Sequence, residues 1–114
     1  MHELSIALSM IDEVLEQAKK HGGVQVTAVH VKVGAFSGVH KDALEFSYAA
    51  ASEDSPLRGS RLVIEEVPIV VYCWQCHAER TLQSFQQLHC PRCNAPVHDI
   101  RQGQELEITA LEVA

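Results

Sequence analysis

Two pairs of cysteines constrain the fold of this chain more than any other feature. The first pair lies in Cys73-Trp-Gln-Cys76 and the second in Cys90-Pro-Arg-Cys93, with thirteen residues between the pairs. Each Cys-x-x-Cys turn presents two sulfur atoms at one point, so two such turns folded together enclose one tetrahedral metal site. The sequence therefore predicts a small module whose two turns are joined through a metal ion, with Trp74 and Pro91 shaping the turns.

Zinc suits four thiolates because it is redox-inactive and accepts a tetrahedral sulfur cage. Four protein ligands leave no open coordination position, so the predicted zinc site is structural and not catalytic. Disulfides are disfavoured in a chain without a secretory signal, and a thioredoxin-like redox pair is disfavoured because neither turn heads a βαβ unit. Iron in the same cage, as in a small electron carrier, stays open from the spacing alone.

The charge of the chain argues against nucleic acid as a partner. The net charge is -6, and the nine Lys and Arg residues are scattered instead of forming a basic face. Asp12, Glu13 and Glu16 interrupt any apolar run near the start, and no stretch approaches the roughly 20 apolar residues of a membrane helix. We therefore expect a cytoplasmic protein with no membrane partner. The absence of a nucleophile–base motif and of a glycine-rich phosphate loop favours a protein that is not an enzyme.

The periodicity of apolar residues predicts an α+β fold. The predicted helices are 4–20 and 40–51, and the predicted strands of one sheet are 25–34, 61–67 and 105–113. The second helix is expected to bury Ala43, Leu44, Ser47 and Ala51, with Phe46 and Tyr48 at its flanks. We predict a small body of two helices and a three-stranded sheet with an inserted four-cysteine zinc-ribbon module. The body comprises residues 1–67 and a returning strand at 104–114, and the module comprises 68–103.

The first three residues, Met1, His2 and Glu3, place several nitrogen atoms close together. The Met1 amine, the His2 amide and the His2 Nδ1 atom can close a five-membered and a six-membered chelate ring around one ion. Such planar nitrogen sets suit Ni(II) or Cu(II). The Glu3 amide or an outside ligand, such as His89 or His98, would fill a fourth position. This motif does not by itself distinguish a metal site from a solvated chain end.

Several segments in order along nearly the whole chain resemble the HypA/HybF family of hydrogenase nickel incorporation proteins. They are Met1-His2-Glu3-Leu4-Ser5, Val33-Gly34-Ala35-Phe36-Ser37-Gly38-Val39, the two cysteine turns, and Gly103-Gln104-Glu105-Leu106-Glu107-Ile108. The resemblance implies a nickel metallochaperone for maturation of NiFe hydrogenase. Some members of the family also serve urease.

The same resemblance assigns two metal sites and two partners. It implies nickel at Met1, His2 and Glu3, and zinc at the four cysteines, Cys73, Cys76, Cys90 and Cys93. The implied partners are a nickel-binding GTPase and the hydrogenase large subunit, and the chain could be a monomer or a homodimer. A zinc-ribbon regulatory module is the second hypothesis, and an iron electron carrier is the third.

Overall fold

The structure is a computed structural model that describes residues 3–84 and 86–114. Its elements are α1 (Glu3–Lys20), β1 (Val26–Gly34), α2 (Lys41–Ser52), β2 (Arg61–Val67), β3 (Ile69–Cys73), β4 (Ala78–Leu82), β5 (Asp99–Gln102) and β6 (Leu106–Val113). They form two three-stranded sheets, ordered β2-β1-β6 and β4-β3-β5. The predicted α+β class, with two helices, a three-stranded sheet and a separate cysteine module, is confirmed.

The chain divides into two compact units. Unit 1 comprises the described residues up to Lys32, with Val39–Glu65 and Glu107–Ala114, and unit 2 comprises Val33–Gly38 and Glu66–Leu106. The sequence-based domain bounds, 1–67 with 104–114 and 68–103, stay a prediction about which parts fold independently. Within residues 3–84 and 86–114, no helix combines the length and apolarity needed to cross a bilayer.

In unit 1, α1 buries one face. Its buried residues recur every three or four positions, as an amphipathic helix requires: Ala7, Met10, Ile11, Val14 and Ala18. Leu4 and Leu8 belong to the same apolar pattern, yet they are 52% and 49% exposed. The apolar stripe of α1 is therefore wider than the face that this structure buries.

The helix α2 packs against α1 through a face that differs from the predicted one. Its buried residues are Leu44, Tyr48 and Ser52, whereas Phe46 is 77% exposed. Tyr48 was predicted to lie at the flank, and this is wrong because its hydroxyl finds a partner inside: it lies 2.7 Å from the Ser60 Oγ atom. This hydrogen bond offsets most of the cost of burying the hydroxyl, so the apolar ring can also be buried.

The central strand β1 is covered on both faces. Ala28 and Val29 are consecutive residues and both are completely buried. Because consecutive side chains of a strand point to opposite faces, apolar material must cover each side of β1 here. The alternation of Val29, Val31 and Val33 in the sequence predicts one buried face of this strand and places Ala28 on the other, more polar face. The prediction for Ala28 is wrong, because both faces of β1 are covered.

In unit 2, β3 lies between β4 and β5 and is paired antiparallel with both. Gly34, Ser37 and Gly38 in the sequence predict a turn after β1. The turn is present, since the Ser37 amide donates to the Gly34 carbonyl at 3.0 Å. Backbone hydrogen bonds connect this turn to the rest of unit 2, and in one of them the Phe36 amide donates to the Gly103 carbonyl at 2.7 Å. A Cβ atom added at Gly34 would lie 2.1 Å from the Gly103 oxygen, so this close approach of two backbones requires glycine.

Candidate metal centre

The four cysteine sulfurs of unit 2 converge on one point. Cys73 ends β3 and Cys76 lies in the turn to β4, while Cys90 and Cys93 lie in a second turn before β5. All four sulfurs lie within 4.8 Å of one another, with Cys73–Cys93 at 3.6 Å and Cys76–Cys90 at 3.8 Å. A tetrahedral ion with zinc–sulfur bonds of about 2.3 Å requires sulfurs about 3.8 Å apart. The donor set therefore fits one tetrahedral ion, and no two of the cysteines are joined as a disulfide.

The two turns share the same local construction. In each turn a backbone amide donates to the sulfur of the first cysteine at 3.4 Å, Cys76 N to Cys73 Sγ and Arg92 N to Cys90 Sγ. The residue after each pair has a positive φ, 55° at His77 and 62° at Asn94. His and Asn tolerate this left-handed conformation better than most residues. Each turn therefore places two sulfurs close together, and one backbone amide donates to the first of them.

Without a bound cation, the four cysteine thiols do not all favour the ionised form. A hydrogen bond from the Cys93 amide is the largest influence on Cys90 and lowers the pKa of this thiol to about 6. At Cys93 the Ala95 amide acts in the same direction, but burial and the three neighbouring thiols outweigh it and raise the pKa to about 12. Clustered sulfurs that resist full ionisation need a cation to become four thiolates.

An arginine that the sequence analysis did not identify faces this cluster. Arg80 of β4 pairs with Val71 of β3, so its side chain lies on the buried face of the unit-2 sheet. Interactions with the Cys76 and Cys90 sulfurs are the main causes that raise the pKa of Arg80. The sequence distance between Arg80 and the cysteines does not indicate this contact, because the contact depends on the register of β3 and β4.

Trp74 also does more than shape a turn. Its ring is 64% exposed, and its Nε1 atom donates to Asp99 Oδ2 at 3.1 Å. Arg101 donates twice to Asp99, at 2.9 Å each, and its guanidinium lies 4.6 Å above the Tyr72 ring. Tyr72 in turn meets Trp74 edge to face, with ring centroids 4.5 Å apart. These four side chains form a closed polar–aromatic ring on the surface of unit 2.

Of the three predicted nickel residues, Met1 and His2 lie outside the described residues, and Glu3 begins α1. The Glu3 Oε2 atom accepts a hydrogen bond from the His40 amide at 3.2 Å. This bond is the largest cause that lowers the pKa of Glu3. His40 precedes α2 without a side-chain cap of its own, so the Glu3 carboxylate links the first residue of α1 to the start of α2.

The histidines considered as additional ligands lie in unit 2. His89 forms an isolated β-bridge with Pro96, and His98 lines an open cavity of about 500 Å³ beside Tyr72 and Trp74. Among the residues that the structure describes, the four cysteines are the one cluster of His, Cys, Asp and Glu side chains arranged to hold a metal ion.

Comparison with known proteins agrees with this architecture. A family model described as hydrogenase/urease nickel incorporation, metallochaperone, hypA matches residues 1–113. The hydrogenase maturation factor HypA of Chloroflexus aurantiacus is 48% identical over 112 residues, which cover 98% of this chain and 98% of that protein. The maturation factor HybF of Klebsiella pneumoniae is 36% identical over 112 residues, again covering 98% of each. The solution structure of the Ni metallochaperone HypA from Helicobacter pylori matches with a TM-score of 0.68 at 26% identity, covering 99% of this chain and 97% of that one.

Fold and site together define a small α+β protein with a four-cysteine metal-binding module. The chain belongs to the HypA family of nickel incorporation metallochaperones, which act in hydrogenase maturation. The family resemblance drawn from the sequence motifs is thereby confirmed.

Proposed function

We propose that this chain binds Ni(II) through Met1, His2 and Glu3 and delivers it in the cytoplasm to the large subunit of NiFe hydrogenase, without catalysing a reaction. The observation that carries the proposal is membership of the HypA family over residues 1–113. Urease is a second recipient, since the description of the matching family names both enzymes. A carrier must release its cargo, and a chelate of three nitrogens with one exchangeable position suits binding followed by transfer.

The geometry of Glu3 bears on its part in the nickel site. Its carboxylate is occupied by the His40 amide at 3.2 Å. Glu3 therefore contributes its backbone amide in our proposal, while its side chain holds the start of α1 against the start of α2. Glu3→Ala should weaken nickel binding less than His2→Ala, because only the histidine supplies a side-chain nitrogen.

Nickel titration of four proteins tests this site. His2→Ala, and a short N-terminal extension that moves the amine, should each abolish tight binding and leave the zinc content unchanged. His21→Ala is the matched control, because His21 is exposed at the end of α1, where its Nδ1 atom lies 2.9 Å from the Gln17 carbonyl oxygen. Binding to the unchanged protein should weaken as the pH falls through about 6.5, where an ordinary imidazole becomes protonated. Unaltered affinity in both the extended protein and His2→Ala would make the N-terminal assignment wrong, and His89 and His98 would be tested next.

We further propose that Cys73, Cys76, Cys90 and Cys93 bind a structural zinc ion. The sulfur separations of 3.6 and 3.8 Å support a tetrahedral ion of this size. Metal analysis of the purified protein should find one zinc per chain, and the protein should be colourless, with no absorption bands in the visible range. A coloured protein with iron in place of zinc would favour the electron-carrier alternative.

The proposed GTPase partner docks through α1. Leu4 and Leu8 are half exposed and lie four residues apart, so they share one side of the helix next to the proposed nickel ligands. Replacing both by Ala should reduce capture of a nickel-binding GTPase from hydrogenase-producing cells, whereas Phe46→Ala, which removes an exposed apolar side chain from α2, should not. Recovery of nucleic acid without a GTPase would favour the regulatory alternative.

A further inference from the structure

The position of Arg80 in its sheet directs its side chain toward the cysteines. In the antiparallel pairing of β3 and β4, Arg80 is opposite Val71, and Cys73 is opposite Ala78 two residues along the same ladder. Directly paired residues, and residues two apart, share one face of a sheet. That face carries the small core of unit 2, in which Val71 and Cys73 are almost completely buried.

The guanidinium of Arg80 is not fully satisfied by other protein groups. One terminal nitrogen donates to the neighbouring Glu79 carbonyl at 3.3 Å. The Nε atom is buried, and within residues 3–84 and 86–114 no acceptor forms a hydrogen bond with it. A buried donor without a partner costs free energy, so an arginine at this place calls for a compensating interaction. The sulfurs of Cys76 and Cys90 lie close enough to the Arg80 guanidinium to interact with it.

The metal centre proposed above would present the complementary charge. A divalent ion with four thiolates carries a net charge of -2, and Cys90 is almost completely buried. Such a charge inside a protein is stabilised by nearby donors and cations, which also tune how firmly the metal is held. The other arginines of this unit do not serve this purpose: the Arg92 side chain is exposed, and Arg101 is engaged by Asp99.

We propose that Arg80 is the electrostatic counterpart of the cysteine-bound metal: its guanidinium offsets the negative charge at the Cys76 and Cys90 sulfurs and so slows release of the ion. Arg80 is a positioning residue and not a ligand. The inference rests on the structural zinc site proposed above, and it adds a determinant of metal retention that lies outside the cysteine motifs.

The test compares zinc release from full-length variants to a coloured chelator at neutral pH. Arg80→Met keeps the aliphatic stem but removes the charge and the donors, and it should release zinc about 10-fold to 100-fold faster, the range found for partners of metal ligands. Arg80→Lys keeps the charge and should stay within a few-fold of the unchanged protein. Arg58→Met changes the net charge equally at an exposed residue of unit 1, outside the cysteine module, and should leave the rate unchanged.

Equal release rates for Arg80→Met and Arg58→Met would overturn the proposal. Circular dichroism of the zinc-loaded proteins checks the fold first, and if Arg80→Met does not fold, Arg80→Gln takes its place with the same two outcomes. Failure of the zinc proposal is separately visible, because the unchanged protein would then contain no zinc. In that case Co(II), whose visible absorption bands report thiolate ligation, replaces zinc in the same comparison of release rates.

Discussion

The two units of this chain use different means to form an interior. Unit 1 buries large apolar side chains drawn from two helices and a strand, among them Val14, Val29 and Leu44. Among the described residues of unit 2, the buried cluster around the metal centre has six members, of which two are cysteines: Ile69, Val71, Cys73, Leu82, Cys90 and Val97. A small apolar cluster offsets little of the conformational entropy of ordering its segment. From this comparison we expect apolar burial to stabilise unit 1, and a metal ion at the four cysteines to contribute much of the stability of unit 2.

Removing a cysteine should produce the largest difference between the units. Cys73→Ala leaves three sulfurs, and the apparent binding free energy of a structural zinc, about 10 kcal/mol or more, is largely folding free energy. We expect loss of the metal and loss of hydrogen-exchange protection across residues 68–103, with protection of α1 and β1 retained. Persistent protection of the module after this substitution would show that its apolar core suffices.

Truncation in the core of unit 1 should have the opposite pattern. Leu44 is completely buried, so Leu44→Ala removes apolar contacts and leaves a cavity, at a cost of about 3 to 4 kcal/mol. Chemical denaturation followed by circular dichroism should show this loss, while the zinc content stays at one per chain. Phe46→Ala on the same helix is the control, because Phe46 is 77% exposed and its loss should change stability by less than about 0.5 kcal/mol. Zinc loss in Leu44→Ala would mean that the units are coupled.

A backbone contact within unit 2 should have a somewhat smaller effect. The Cβ atom of Gly34→Ala would meet the Gly103 carbonyl at 2.1 Å, and neither backbone can move without breaking hydrogen bonds such as Gly34 N to Glu105 O. We expect a loss of about 3 kcal/mol, at the upper end of the usual overpacking cost. Gly59→Ala provides the contrast: its added Cβ has no neighbour within 4 Å, and its φ of +83° should cost only about 1 kcal/mol. Equal losses at the two positions, measured by thermal unfolding, would contradict the steric argument.

The smallest expected effect concerns a hydrogen-bonded surface carboxylate of unit 1, Glu112, and its pH dependence. His30 lies 2.6 Å from the Glu112 carboxylate and is the largest cause of its lowered pKa, with Arg61 at 3.6 Å adding to it. A carboxyl group with a lowered folded-state pKa stabilises the protein above its ordinary value of about 4.3, and this stabilisation is lost as the pH falls through the folded-state value.

Glu112→Gln should therefore lower the unfolding temperature slightly at pH 7, and the difference should shrink on acidification below pH 4. Glu107→Gln in the same strand is the control and should show a smaller difference at pH 7. If the difference in unfolding temperature between Glu112→Gln and the unchanged protein does not vary with pH, ionisation of this carboxylate does not cause the difference.

Much of the fold could be predicted because its signals are local. The spacing of Ala7, Ile11 and Val14 is enough to define α1, and each Cys-x-x-Cys turn is built within four residues. The errors arose where a residue's environment depends on distant partners. Tyr48 is buried because Ser60, twelve positions away, meets its hydroxyl, and Ala28 is buried because other parts of the chain cover both faces of β1. No periodicity within either element carries that information.

Residue types and their spacing along the chain are enough to identify the four donors of the metal centre, the α+β class and the family. The approach of the two cysteine turns, with sulfurs 3.6 and 3.8 Å apart, and the orientation of Arg80 toward them depend on contacts between distant segments. For Arg80 the register of two strands explains this dependence. Arg80 reaches the buried face because β3 and β4 pair at Val71 and Arg80, and a shift of one residue would turn its side chain to the opposite face of the sheet.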